Sequence, residues 1–246
     1  MSRTVAAVDR SQRALLADVA HELRTPLTSV RGYAQALRSG VASDPAARER
    51  AIATIEAESA RMSRLVDELL DLSRLESGQL RFRLQPLDVD AAFGRTIERF
   101  APAALQRQVV LAAQRSTGLA VLADEDRLAQ ALGNLVDNAL RHTGPGGKVT
   151  LEARQVDGIV RLSVADTGSG MDPETALRAF DRFRRGPGED ENGFGLGLPI
   201  VREIMANHGG SVEIESEPGF GATVTLALPA VVGAELEPQG HERSRT

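Results

Sequence analysis

Apolar residues recur at alternating intervals of three and four along the first third of this chain, and no other feature constrains its fold as strongly. This spacing is typical of helices that pack in a bundle through one apolar stripe. The first stretch comprises Leu16, Val19, Leu23, Pro26, Val30, Tyr33 and Leu37. The second keeps nearly the same intervals and comprises Ile52, Ile55, Ser59, Met62, Val66, Leu69 and Leu72. We therefore expect two long amphipathic helices, the first over about 14–39.

A short segment separates the two predicted helices. Gly40 suits a helix end, Asp44 suits an N-cap and Pro45 suits the first position of the next helix. Two amphipathic helices joined in this way form an antiparallel hairpin that covers only one stripe per helix. A four-helix bundle made of two hairpins would cover the remaining apolar surface. The sequence therefore predicts a homodimer.

His21 lies on the face of the first helix that points away from the stripe. It falls at position f of the heptad, Thr28 shares that position one heptad later, and Thr25 is one turn away. Pro26 lies within the pattern and favours a kink, because its ring crowds the carbonyl of Glu22. The helix thus presents an imidazole to solvent beside a carboxylate and two hydroxyls. Periodicity alone leaves open an ordinary exposed histidine.

The composition excludes several classes of protein. The 246 residues suffice for one large domain or two small ones, with 42% hydrophobic and 26% charged residues. The net charge of −5 and the 3% aromatic content give no basic or stacking surface for nucleic acid. Cysteine is absent, which rules out disulfides and thiolate metal sites. No apolar run approaches the roughly 20 residues that span a bilayer, and the start does not resemble a signal peptide.

Mixed helix and strand patterns follow Ser77-Gly78, where the helical pattern ends. We predict domains over 1–77 and 78–230, and a disordered polar tail over 231–246. The alternation of Leu80, Phe82 and Leu84 predicts a strand. Further helices are expected at about 89–107, 125–141, 173–184 and 198–207, and further strands near 109–111, 119–122, 148–165 (a hairpin turning at Asp157-Gly158), 211–215 and 222–228. This mixture predicts a two-layer α+β domain.

Polar and glycine clusters recur in the predicted second domain. Asn134 and Asn138 lie one helical turn apart, Asp166–Gly170 follows a strand, Gly193–Leu198 leads into a helix, and Gly219–Thr223 precedes the last strand. Glycine-rich backbone at a helix N-terminus offers amide donors to phosphates, and an amide oxygen suits Mg²⁺. Taken singly, the two asparagines are also typical of surface residues, and each glycine run is also typical of a tight turn. Gly147-Lys148 does not complete a P-loop, because His142 stands where its first glycine is required.

Together with the stretch around His21, these clusters resemble the sensor histidine kinases of bacterial two-component systems. The resemblance covers about 14–229. It lies in five boxes: the H box at His21–Thr28, the N box at Asn134–Thr143, the first glycine box at Asp166–Gly170, the F box at Phe180–Arg185 and the second glycine box at Gly193–Leu198. It implies a helical hairpin that forms a dimeric four-helix bundle, followed by a two-layer α+β ATP-binding domain of the Bergerat type.

The resemblance also implies an activity, an ATP-dependent protein-histidine kinase. His21 would receive the phosphoryl group and pass it to an aspartate in the receiver domain of a response regulator. Glu22 would accept the proton from one ring nitrogen, so that the other becomes the better nucleophile. Thr25 would position a water for dephosphorylation of the regulator, or would only cap the turn after the kink. The catalytic set is His21, Glu22, Thr25 and Asn134.

The implied cofactors are ATP and Mg²⁺. Asn138 would ligate the metal, Asn134 would assist near the γ-phosphate, and Asp166 would accept a hydrogen bond from the adenine amino group. The full nucleotide-binding set is Asn134, Asn138, Arg141, His142, Asp166, Gly168, Gly170, Arg185, Gly193, Gly195, Leu196, Gly197, Leu198 and Thr223. Two positions depart from the family's pattern: His142 stands where an aromatic ring is common, and Met171 replaces a commoner isoleucine.

Two alternatives remain at this stage. A scaffold could bind nucleotide without transferring phosphate, and the gyrase, chaperone and mismatch-repair ATPases share related glycine boxes but lack the histidine box. The family normally has a sensor ahead of this region, so we expect a cytoplasmic chain. It is either part of a membrane receptor, touching the membrane only through a sensor region absent from this sequence, or a short soluble kinase. We also expect a hinge at Ser77-Gly78.

Overall fold

The computed structural model of the chain describes residues 2–116, 118–184 and 193–231, with side chains from residue 17 onward. The chain divides into two compact units, Met1–Asp71 with Glu191–Phe194 and Leu72–Asp190 with Gly195–Thr246. The division falls inside the second long helix, whereas the predicted domain boundary lies a few residues later. The predicted tail, apart from residue 231, lies outside the described residues. Within the described ranges, no helix is long and apolar enough to cross a membrane.

The first unit contains the first helix of the predicted hairpin and most of the second. Helix α1 spans Ser2–Ser39 and helix α2 spans Pro45–Glu76. Gly40 ends α1 with a φ of 74°, and the Asp44 side chain accepts a hydrogen bond from the Ala47 amide at 2.7 Å, as the start and stop residues predict. Helix α1 continues through Pro26, which is buried.

The apolar stripe of the first unit is only partly covered within one chain. Tyr33, Ile52 and Val66 belong to the predicted stripe, yet each is more than two-fifths exposed. Leu27 and Leu70 are exposed to a similar degree. Large exposed apolar side chains therefore recur along both helices.

The second unit is built on a five-stranded sheet. The strands of this unit are β1 Gln85–Asp88, β2 Val110–Ala113, β3 Ala120–Ala123, β4 Lys148–Val156, β5 Ile159–Asp166, β6 Ser211–Glu217 and β7 Gly221–Pro229. The five-stranded sheet has the order β2-β4-β5-β7-β6, with all neighbours antiparallel except the β2–β4 pair. A separate two-stranded sheet pairs β1 with β3. The helices are α3 Val89–Gln106, α4 Glu125–His142, α5 Pro173–Leu177 and α6 Gly197–Asn207.

The core of this unit lies between one face of the sheet and the helices. Alternate residues of β5 and β7 are buried, and both α4 and α6 contact the sheet through apolar stripes. The fully buried members include Leu132, Leu140, Leu151, Leu162, Ile200, Ile204 and Met205. This confirms the expected hairpin followed by an α+β domain.

Most of the predicted helices and strands are present, but one predicted strand is absent. The 148–165 hairpin turns at Asp157-Gly158, where φ is 51° and 77°, a pair of positive values typical of a two-residue hairpin turn.

Residues 79–84 form no strand, and β1 begins only at Gln85. The Arg83 amide donates to Asp124 at 2.8 Å, and the Phe82 ring contacts the His208 ring edge-on at 4.7 Å between centroids. This segment therefore binds side chains instead of a neighbouring strand. The helix expected over 173–184 is also shorter, since α5 ends at Leu177.

Candidate functional site

The residues of the H box lie on an exposed face of α1. His21, Thr25 and Thr28 are all exposed, as their heptad positions predict, and Glu22 is half-buried. The Thr28 hydroxyl donates to the carbonyl of Arg24 at 2.8 Å, which is a local helical bond. An imidazole in this setting is accessible to a reactant from outside the helix.

Helix α4 carries the two asparagines of the N box. Asp124 caps its first turn through the Arg127 amide at 3.1 Å. Asn134 donates from Nδ2 to the carbonyl of Gly197 at 3.3 Å, which joins α4 to the start of α6. Asn138 is half-buried, and its side-chain amide makes no hydrogen bond to any residue that the structure describes. Its oxygen is therefore available to an external ligand.

The N-terminus of α6 differs from those of its neighbours. Helices α3, α4 and α5 each begin at an aspartate whose side chain accepts from a first-turn amide. Helix α6 follows Leu196, has no side-chain cap and has no acidic residue in its first turn. Its amide donors and its dipole remain available to an anion. A Cβ at Gly197 would meet nothing closer than 3.9 Å, so packing does not require glycine there.

Asp166 ends β5 and is the centre of a second cluster. Its Oδ1 accepts from the amide of Gly168 at 2.8 Å and from that of Ala222 at 3.3 Å. No described residue donates to its Oδ2. Burial raises the pKa of this carboxyl above its usual value, although the two amides and His142 oppose the shift. The carboxyl therefore has one occupied oxygen and one that can accept from a ligand.

Glycine is sterically required around Asp166. A Cβ at Gly168 would collide with the carbonyl oxygen of His142, and one at Gly170, where φ is 63°, would collide with that of Glu217. A Cβ at Gly221, where φ is 85°, would collide with the carbonyl oxygen of Asp166 itself. These glycines let three loops approach one another closely.

Three further members of the predicted nucleotide-binding set occupy defined positions. Arg141 forms a two-bond ion pair with Asp137, at 2.8 Å from Nε and 2.7 Å from Nη2. The sequence predicts that this guanidinium contacts phosphate, and in the structure it is bonded to a carboxylate of the same helix. His142 ends α4, and its carbonyl accepts from the Ser169 amide at 3.3 Å. Thr223 is half-buried and pairs with Ala165 on β5.

The remaining members lie at the start of α6, or outside the described residues. Gly193 and Leu198 are half-buried and Leu196 is fully buried. Gly195 has a φ of 67°, and a Cβ there would collide with the carbonyl of Arg184. Arg185 lies outside the described residues. Among the described residues, the Asp166 cluster, the Asn134–Gly197 contact and the bond from the Phe183 amide to the Gly195 carbonyl at 3.1 Å each bring different boxes together.

A magnesium ion would receive few ligands from the protein. Among the described residues, no group of three or more His, Asp or Glu side chains could hold a metal. The Asn138 oxygen suits a hard cation that keeps several waters and bridges to phosphate oxygens. The residues present therefore fit Mg²⁺ as a companion of a nucleotide.

The sequence reasoning missed one residue of the Asp166 cluster, Ser216. Its hydroxyl accepts from the Met171 amide and donates to the Gly221 carbonyl, both at 2.8 Å. A serine near the end of an edge strand has no periodicity or spacing that marks it. Only its sheet partner, Ala222, shows its relation to the cluster.

Comparison with known proteins matches two regions of the chain to known domain families. Residues 11–78 match the His Kinase A (phospho-acceptor) domain, and residues 123–232 match the histidine kinase-, DNA gyrase B- and HSP90-like ATPase. The sensor protein DivL of Caulobacter vibrioides is 38% identical over 93% of this chain, and the sensor-like histidine kinase SenX3 of Mycolicibacterium smegmatis is 34% identical over 98%. The chain spans 29% and 62% of the lengths of these two relatives.

Solved structures of similar proteins support the same assignment. Full-length ShkA in complex with AMPPNP has a TM-score of 0.67 and 33% identity, over 90% of this chain and 46% of that one. The histidine kinase ThkA in complex with the response regulator TrrA has a TM-score of 0.73 and 25% identity, over 89% and 61%. The present chain belongs to the sensor histidine kinases and comprises the phospho-acceptor and ATP-binding regions of that family.

Proposed function

We propose that this chain is the catalytic core of an ATP-dependent protein-histidine kinase. It phosphorylates His21 and then passes the phosphoryl group to an aspartate in the receiver domain of a response regulator. The observation that carries the proposal is an exposed histidine, within a matched phospho-acceptor domain, on the same chain as a matched ATP-binding domain. A nucleotide-binding scaffold needs no such histidine.

The second unit holds the nucleotide at two places. Oδ2 of Asp166 accepts from the adenine amino group, and the amides at the start of α6 bind phosphate oxygens. Asn138 would hold Mg²⁺, and the metal would neutralise charge on the phosphates. Asn134, already bonded to the Gly197 carbonyl, keeps the start of α6 beside α4.

The first unit supplies the nucleophile. Glu22 accepts the proton of one ring nitrogen of His21, and the other nitrogen attacks the γ-phosphorus of ATP. A nitrogen–phosphorus bond forms, the bond from the γ-phosphorus to the bridging oxygen breaks, and ADP leaves. The second transfer moves the phosphoryl group from nitrogen to a carboxylate oxygen of the regulator. Thr25, exposed one turn from His21, is available to position a water that hydrolyses the resulting acyl phosphate.

The working form is a homodimer in which two hairpins make a four-helix bundle. The exposed members of the stripe, among them Tyr33, Ile52 and Val66, support this proposal. Fully burying an exposed side chain of this size contributes about 1.5–3 kcal/mol, and covering only its exposed two-fifths contributes correspondingly less. In a symmetric dimer each position occurs twice.

The test is the reaction with γ-labelled ATP and Mg²⁺. Wild-type chain and the control variant Arg31→Gln, changed at an exposed position of the same helix, should acquire acid-labile label. The variant His21→Gln should acquire none, yet should bind ATP as tightly as the wild type. Acid-labile label on His21→Gln would overturn the proposal. A wild-type chain that binds ATP and never becomes labelled would instead be a nucleotide-binding scaffold.

A further inference from the structure

Ser216 joins two backbone segments that surround Asp166. It lies on β6 opposite Ala222 of β7 and is half-buried. The Met171 amide donates to its hydroxyl oxygen at 2.8 Å, and the hydroxyl donates to the Gly221 carbonyl at 2.8 Å. The direction of both bonds is determined, because an amide can only donate and a carbonyl can only accept. One hydroxyl thus links the end of the first glycine box to the start of β7.

The start of β7 in turn determines how the Asp166 carboxyl is held. The Ala222 amide is one of the two donors to Oδ1, and the Gly168 amide is the other. Gly221 approaches the Asp166 backbone so closely that a Cβ would collide with its carbonyl. The Gly219 amide adds a second link between the same segments, because it donates to the Ser169 carbonyl at 2.7 Å.

The two amides on Oδ1 leave Oδ2 for a ligand. If the start of β7 shifts relative to the first glycine box, the Ala222 amide moves away from Oδ1 and the carboxyl can rotate. Both oxygens then become partly available and neither has a defined direction. A donor on a ligand would lose its aligned acceptor, whereas parts of the ligand that bind elsewhere would be unaffected.

We propose that Ser216 is a positioning residue for recognition of the adenine amino group by Asp166. The inference rests on the proposed function, since it takes ATP as the ligand of this site. Ser216 keeps the amides of Gly168 and Ala222 on one carboxyl oxygen, so that the other faces the base. It therefore contributes to the preference of the site for 6-aminopurine nucleotides.

The test compares two ligands that differ only in this amino group. ATP and purine riboside triphosphate, which lacks the 6-amino group, are titrated calorimetrically into the full chain in the presence of Mg²⁺. The variants are Ser216→Ala, Ser216→Thr and the control Ser211→Ala, which makes the same change at an exposed position of the same strand. Circular dichroism reports whether each variant is folded.

The wild type should bind ATP more tightly than the deamino analogue. Ser216→Ala should weaken ATP binding by about fivefold, the effect of about one hydrogen bond, and should leave analogue binding within about twofold of wild type. Ser216→Thr, which keeps the hydroxyl, and Ser211→Ala should both retain the wild-type ratio.

Three results would overturn the proposal. Equal weakening of both ligands by Ser216→Ala would show that Ser216 acts only on folding or on the site as a whole. Loss of the preference in Ser216→Thr would contradict it even if Ser216→Ala does not fold. A wild-type chain that binds neither nucleotide would remove the proposed function as well, and this distinguishes the two failures.

Discussion

The two units of this protein build their functional residues in different ways. In the first unit, His21, Glu22 and Thr25 lie within two turns of α1, and the exposure of His21 and Thr25 follows from helix periodicity alone. In the second unit, the groups around Asp166 come from two segments whose bonded residues are 45 to 56 positions apart, and they meet through the register of β5, β6 and β7. Substitutions of these three residues in the first unit should therefore change chemistry alone, and those around Asp166 should change binding together with local structure.

The largest expected effect belongs to the first unit. Glu22→Gln should slow phosphorylation of His21 by about 100-fold or more, because general-base assistance contributes about 10²–10⁴-fold. ATP affinity should be unchanged, since nucleotide binds to the other unit. The measurement is single-turnover phosphorylation with labelled ATP, and Glu56→Gln, at an exposed position of α2, is the control. A Glu22 variant with a normal rate would exclude this residue as the base.

Asp166→Asn tests the second unit. ATP affinity should fall by about 10- to 100-fold, because a hydrogen bond to a charged acceptor contributes about 1.5–3 kcal/mol. Asp157→Asn, in an exposed hairpin turn that tolerates asparagine, should bind ATP normally. Titration calorimetry separates these variants, and an Asp166 variant with wild-type affinity would contradict the proposed base contact.

The pH dependence of ATP binding sharpens the same test. Burial raises the pKa of Asp166, and the bond from adenine favours its ionised form. Affinity should therefore rise with pH through this raised pKa and become constant above it, while Asp166→Asn shows no such rise. A wild-type affinity that falls over the same range would have the wrong sign.

A smaller effect concerns the uncovered stripe of the first unit. Val66→Asn should weaken self-association by about tenfold, because it replaces an apolar contact in each copy by a polar group. Ala57→Asn, exposed on the same helix but outside the stripe, should leave it unchanged. Sedimentation equilibrium measures the dimer affinity of both variants. Equal affinities would show that Val66 does not lie in the dimer interface.

The smallest effect concerns the buried His208 of the second unit. Its Nε2 accepts from the Asp124 amide at 2.9 Å, and its Nδ1 lies 2.8 Å from the Ile204 carbonyl, so the ring is neutral. Burial lowers its pKa, although the Ile204 carbonyl and the Asp124 carboxylate oppose the shift. The unfolded chain therefore takes up a proton first as the pH falls below about 6.5.

This difference predicts a pH-dependent stability. The contribution of His208 is complete above about pH 6.5, and the free energy of unfolding should fall as the pH drops below this value toward the lowered pKa. Urea unfolding at several pH values measures this. His208→Gln should remove that part of the dependence, and His21→Gln, changed at an exposed position, should retain it. An unchanged slope in His208→Gln would exclude the buried ring as its source.

The same contrast explains what could be predicted from the sequence. The hairpin, the exposure of His21 and the Asp44 cap depend on local patterns, and the structure agrees with each. The strand predicted over Leu80–Leu84 was wrong, because the alternation there reflects Phe82 packing on His208 instead of strand pairing. Ser216 could not be found, since its partners Met171 and Gly221 become neighbours only when the sheet forms.

The most direct test of the central claim is to locate the phosphoryl group. Wild-type chain is incubated with unlabelled ATP and Mg²⁺, digested at neutral to alkaline pH, and its phosphopeptides are sequenced by mass spectrometry. We expect phosphate on the imidazole of His21 and on no other histidine among the four in the chain. Phosphate on a different residue, with the His21 peptide unmodified, would contradict it.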